Sequence, residues 1–111
     1  MYREFTETPI FTKNWIELGF SDEDLRELQN ILIEYPKTGK TIKGTGGLRK
    51  IRVALGDNEK GKRIGARVIY VDIEIKERIH LIDVYSKNEK LDLSEKEKKT
   101  MKRFIEILKE E

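Results

Sequence analysis

Apolar positions along the chain fall into three stretches with helical spacing and three with strand spacing, and their order sketches a fold. Phe11, Trp15 and Leu18 recur at i, i+4 and i+7, the stripe of one helix face. Thr8-Pro9 precedes them, a capping hydroxyl followed by the residue best suited to the first helical position, and Gly19 ends the stripe. A second helix is predicted from Ser21, where a carboxylate three residues on completes a capping box. Leu25, Leu28, Leu32 and Tyr35 form its buried face and Pro36 stops it. With so short a joint, the two helices are expected to form an antiparallel hairpin. A last helix starts at Ser94, with Glu97 in capping position and Met101, Phe104, Ile105 and Leu108 on one side.

Strands are predicted at 48–54, 64–73 and 78–85, separated by the polar loop 56–62 and a turn near Lys76-Glu77. Short connections make these an antiparallel meander. Residues 2–7 alternate weakly and suit a short first strand, while 37–47 reads as a loop in which Thr41 and Ile42 pair briefly with a neighbour. The expected fold is α+β and occupies residues 1–111 as one domain. A small antiparallel sheet of three to four strands carries the N-terminal hairpin on one face, and a C-terminal helix closes the chain. The second sheet face is then left to water or to a ligand.

Composition changes this picture in two places. Charged residues make up 40% of the 111, enough to suggest disorder if they shared a sign, but 23 basic groups nearly balance 21 acidic ones, so a folded chain is expected. There is no cysteine and one histidine, His80, so the side chains of most zinc, thiol and iron–sulfur sites are missing. No apolar run approaches the roughly 20 residues that span a bilayer, and the N-terminus lacks an apolar signal core. A soluble cytoplasmic protein with no membrane partner is expected.

The net charge of +2 is unevenly laid out. Residues 37–70 hold ten basic and two acidic side chains, whereas 1–36 hold three basic and eight acidic. The middle third is the candidate surface for a polyanion; lysine-rich loops that merely solubilise the domain are the plainer reading. Within that third, G-T-G-G-L-R-K-I-R at 44–52 loads Arg49, Lys50 and Arg52 onto a predicted strand behind a glycine turn. Arg49 shares a side with Ile51 and Val53 by alternation, and Lys50 and Arg52 point the other way; Arg67 shares a side with Ile69 and Val71. A cation at the end of an apolar row is either a snorkelling edge residue or a positioned charge. A second basic cluster, Tyr85-Ser-Lys-Asn-Glu-Lys90, closes the last strand. Gly44, Gly46 and Gly47 fit neither phosphate-loop pattern and read as a tight turn.

These stretches, with G-A-R-V-I-Y at 65–70 and I-D-V-Y-S-K-N-E-K-L-D-L-S at 82–94, resemble the RelE/HigB family of toxin–antitoxin endoribonucleases, and most nearly its HigB-like branch. The resemblance covers essentially the whole chain. It implies a small toxin that enters the ribosomal A site and cuts mRNA there without metal or other cofactor. A cognate antitoxin of helix-turn-helix type neutralises it, and operator DNA is met only through that antitoxin.

Such a cut needs a base for the 2′-hydroxyl, positive charge on the transition state and a proton for the 5′-oxygen. Alternation places His80 mid-strand with Ile82 and Val84 on its side, which suits a structural role. Lysines and arginines must then carry the chemistry; clustered cations depress one another's pKa, while fixed arginines hold phosphate. Carried over by position, the resemblance assigns Arg67 to the phosphate and transition state, Lys87 to leaving-group protonation or charge stabilisation, and Arg49 and Lys50 to backbone positioning, with Lys50 the better candidate on the base side. Tyr70 and Tyr85 are read as stacking platforms or as packing, and Arg52 and Lys90 as weaker RNA contacts. Leu91 and Leu93 stand where some relatives carry a tyrosine. Two other functions fit the same fold: a ParE-like inhibitor of DNA gyrase, and a catalytically inactive RNA-binding relative. The inhibitor, acting by protein contact, needs no cations aimed at one phosphate.

Overall fold

The structure, a computed structural model, describes residues 2–56, 63–89 and 91–111. Strand β1 (Glu4–Glu7) leads into α1 (Pro9–Glu17) and α2 (Asp22–Glu34). The chain continues through β2 (Lys40–Thr41), β3 (Arg49–Leu55), β4 (Ile64–Ile73), a 3-10 turn at Glu74–Lys76, β5 (Arg78–Ser86) and α3 (Glu95–Glu110). Caps set the helix starts as the sequence predicts. Thr8 Oγ1 accepts from Phe11 N at 3.1 Å, and Ser21 and Ser94 each form a reciprocal capping box, with Asp24 and Glu97.

The sheet has five strands in the order β1-β5-β4-β3-β2 and is mixed, which corrects the expected antiparallel sheet of three or four strands. β1 runs parallel to β5, from Glu4 opposite Arg78 to Glu7 opposite Leu81. It closes an edge that would otherwise leave backbone groups unpaired. Arg3 pins its start: Nε donates to Asp72 Oδ1 at 2.7 Å, and both side chains are almost fully buried.

α1 lies against β5 and α2 against β3. The expected hairpin is therefore two helices docked side by side on the sheet, with contact to the strands dominating contact between them. Trp15 of α1 packs between Phe11 of the same helix, ring centroids 5.5 Å apart, and Phe20 of the joint that leads into α2, at 4.4 Å. Beneath them Leu28 and Leu32 join Val53, Leu55, Val68, Tyr70, Ile79, Leu81 and Val84 in the main core.

The second face is only half open. Ile105, with Met101 and Leu108, seals α3 over Leu48, Ile69, Val71 and Ile73, and Phe104, expected in that stripe, is 37% exposed. Gly44 and Gly46 have positive φ and pass under Lys98 and Lys102 of α3, where a Cβ on Gly46 would lie 3.1 Å from Lys102 Cγ. Among the described residues no helix is long and apolar enough to cross a membrane.

Candidate functional site

Strand register decides which cations meet. On β3 and β4, Arg52 stands opposite Arg67, and on β5 Tyr85 stands opposite Arg67 in turn. Residues directly opposite share a face, so the three form one row across the sheet. One step along, Lys40 of β2 pairs with Lys50 of β3. Both lie beyond the patch sealed by α3, on the open half of that face. Past the end of β5 its pairing with β4 runs on by one residue, which sets Lys87 opposite Gly65. Lys87 N donates to Gly65 O at 3.2 Å, and the lysine stem lies across Gly65 so closely that a Cβ there would stand 2.7 Å from Lys87 Cδ.

The outcome is a cleft of about 720 Å³ lined by Lys40, Lys50, Arg52, Arg67, Tyr85 and Lys87, together with Thr38, Ile51, Asn88, Glu89 and Leu91. Its walls carry five cations and one carboxylate, Glu89. Among the described residues, none of the five forms an ion pair with a carboxylate, unlike Arg3, Lys37, Arg63, Arg78 and Lys98 elsewhere. Like charges facing each other across strands destabilise a sheet, so the cluster is a standing cost that an anionic ligand would offset. Tyr85 sits at its floor. Partial burial raises its hydroxyl pKa, while Arg67 and the Leu91 backbone pull the other way; at neutral pH it is a hydrogen-bond donor rather than a base.

No family model matches the chain. Among solved structures, the isolated E. coli RelE toxin aligns over 94% of this chain and 99% of its own, at 19% identity and a TM-score of 0.53. The toxin–antitoxin complex E. coli RelBE aligns over 81% of this chain and 100% of the matched one, at 21% identity and a TM-score of 0.55. A double arginine-to-alanine mutant of E. coli RelE in the free state covers 79% of this chain and 86% of its own, at 18% identity and a TM-score of 0.55. The chain has the RelE fold.

Within this RelE fold, two of the sequence-predicted site residues turn away from the cleft. Arg49 shares its side of β3 with Val53, as alternation predicts, and Nη1 is spent on two backbone carbonyls, Lys37 O at 3.0 Å and Gly39 O at 2.7 Å. Tyr70 is 0% exposed. Its hydroxyl donates to Pro36 O at 3.0 Å and accepts from Gly39 N at 2.9 Å, so it offers no ring face to a nucleobase. Burial raises its pKa, against the opposing pull of Gly39 N–H and Arg49. Lys90 lies outside the described residues.

His80 is remote from the RelE-fold cleft. It pairs with Thr6 on one side and Val71 on the other, and stands with Arg78, Leu108 and Glu111 at the far end of α3. That is five residues, or roughly 16 Å of strand, from Tyr85. Burial first, and Arg78 second, push its imidazole below the ordinary value. Its expected neighbour Val84 faces the opposite core. The β4–β5 register slips between Ile69 opposite Asp83 and Tyr70 opposite Leu81, leaving Ile82 as the extra residue of a bulge that inverts the alternation.

Among the described residues no three histidine, aspartate or glutamate side chains are gathered to hold a metal. Sequence reasoning missed Thr38 and Lys40 as cleft walls and Gly65 as the space beneath Lys87. The only signal for Gly65 was its place two residues before Arg67 on the same strand face.

Proposed function

We propose that this chain is a RelE-type toxin of the HigB-like branch, a ribosome-dependent endoribonuclease that cuts mRNA in the A site and is held in check by a cognate antitoxin. The gathering of Lys50, Arg52, Arg67 and Lys87 around one cleft, without carboxylate partners among the described residues, carries this reading. A scissile phosphate seated over Arg67 would have a guanidinium to hold its equatorial oxygens as charge builds on them. In this scheme the 2′-hydroxyl gives its proton to Lys50 as base while its oxygen attacks phosphorus, the bond to the 5′-oxygen breaks, and Lys87 hands that oxygen a proton as it leaves. Lys50 stands on the attacking side, Arg52 and Lys40 grip the flanking backbone, and Tyr85 offers a ring edge and a hydroxyl donor.

The RelBE complex is a toxin–antitoxin pair on this fold, which supports an antitoxin partner here; we assign it to the helix-turn-helix type, with operator DNA met only through it and the pair acting in the cytoplasm. Induced expression should halt translation and leave cut mRNA, and Arg67→Ala combined with Lys87→Ala should abolish both while antitoxin binding persists. DNA damage that depends on gyrase, with intact mRNA, would overturn this assignment in favour of a gyrase inhibitor.

A further inference from the structure

Arg49 and Tyr70 stand directly opposite each other on β3 and β4, three residues along from the Arg52–Arg67 pair and on the other side of the sheet. Both reach the same target, the segment of chain that leaves α2 and crosses the sheet edge to β2. Tyr70 Oη bridges Pro36 O and Gly39 N, and Arg49 Nη1 bridges Lys37 O and Gly39 O. These four hydrogen bonds fall within residues 36–39, and two of them are on Gly39 alone. Gly39 is itself fitted to the latch: a Cβ on it would lie 2.8 Å from Tyr70 Cε1 and 3.0 Å from Lys50 O. Immediately beside it, Thr38 and Lys40 line the cleft.

Besides these bonds the segment has one turn bond of its own, Thr38 N to Tyr35 O at 3.1 Å, the Lys37–Glu74 ion pair and the two-residue pairing of β2 with β3; Pro36 O and both backbone polar groups of Gly39 are left to Tyr70 and Arg49. Removing the tyrosine hydroxyl alone would leave a buried carbonyl and a buried N–H without partners. The segment would move to satisfy them, and the wall would move with it.

We infer that Arg49 and Tyr70 are positioning residues that latch the 36–40 segment from beneath the sheet and so hold Thr38 and Lys40 as the wall of the cleft against the RNA backbone. The inference rests on the cleft being the RNA site proposed above. It gives a direct role in substrate contact to Lys40, and takes one away from Arg49 and Tyr70.

The test compares the wild-type protein with Tyr70→Phe, Arg49→Met and Arg49→Lys. Three readouts are used: cleavage of mRNA on programmed ribosomes, binding of a fluorescent single-stranded oligoribonucleotide, and hydrogen exchange at the Gly39 amide. Tyr70→Phe and Arg49→Met, each of which removes two of the four bonds, should each raise KM and the oligoribonucleotide Kd about tenfold. kcat and its pH profile should stay as in the wild type, the Gly39 amide should exchange faster, and Arg49→Lys should recover most of the binding. Wild-type KM and Kd in Tyr70→Phe, or a loss confined to kcat with a displaced pH profile, would overturn the inference. A wild-type protein that cuts no mRNA would remove the nuclease reading instead, and the latch would then stand or fall on Gly39 exchange and oligoribonucleotide binding.

Discussion

Arg52 and Arg67 face each other across β3 and β4, two guanidinium groups on adjacent strands with no carboxylate bound to either among the described residues. A sheet selected for stability alone would alternate the signs at such a pair. Replacing Arg67 by threonine, which suits a strand, should raise the unfolding free energy by about 0.2–1 kcal/mol, the range of cross-strand pair effects. It should also abolish mRNA cleavage. Urea titration and a cleavage assay on the same preparation check both halves, and a variant that is less stable yet still active would contradict the proposed role of the pair.

Gly65 separates packing from chemistry at Lys87. A methyl group at this position would meet the flexible lysine stem, not backbone, at 2.7 Å. Gly65→Ala should therefore fold with a Tm close to wild type, while the displaced ammonium group cuts kcat by about tenfold or more, the scale of a misplaced acid–base group. Thermal melting and single-turnover cleavage distinguish this outcome from general destabilisation.

His80 should make the fold sensitive to mild acid without touching the cleft. Its pKa is lowered in the folded state, mainly by burial, so the unfolded chain binds the proton more readily. Stability is then fully present above the unfolded value near 6.5 and declines as pH falls through that value towards the lower folded one. Glu74 and Glu97, whose pKa values are lowered by Lys37 and by the Ser94 cap, act in the same direction but below about pH 4.5. Between pH 7.5 and 5.5 the urea midpoint should fall, and His80→Gln should flatten that slope while leaving cleavage at pH 7 unchanged.

The buried Arg3–Asp72 pair fastens β1 to the sheet. Arg3→Met would strand the Asp72 carboxylate away from water, at a cost of about 3–5 kcal/mol, and the double variant Arg3→Met with Asp72→Leu should regain most of it. Denaturant unfolding of the single and double variants measures the difference. Equal losses in both would show that the pair serves only through its apolar contacts.

Helices and long strands were legible because each carries its own signal: Thr8-Pro9, Ser21 and Ser94 begin the helices, and β4 spans the predicted 64–73. β3 and β5 agree within a residue at each end. What was not legible depends on distant partners. The parallel placement of β1 rests on β5 and on the Arg3–Asp72 bond, which joins residues 69 apart in sequence. The bulge at Ile82 moves Val84 to the main core against simple alternation. Alternation placed Lys50, Arg52 and Arg67 correctly by side, yet residue type alone could not show that Arg49 and Tyr70 would be consumed by loop carbonyls. Lys40 was hidden for a related reason: its two-residue strand is too short to display a period.

The chain has one tryptophan, and Trp15 is clamped between two phenylalanine rings in the core beneath α1 and α2. Alongside its four tyrosines the protein thus carries a single indole fluorophore, on the side of the sheet opposite the basic cleft. Its emission will follow the loosening of the helical layer without any label. Quenching by a ligand held in the cleft would have to travel through the sheet, so a change in that signal on adding RNA reports a rearrangement of the fold rather than simple occupancy.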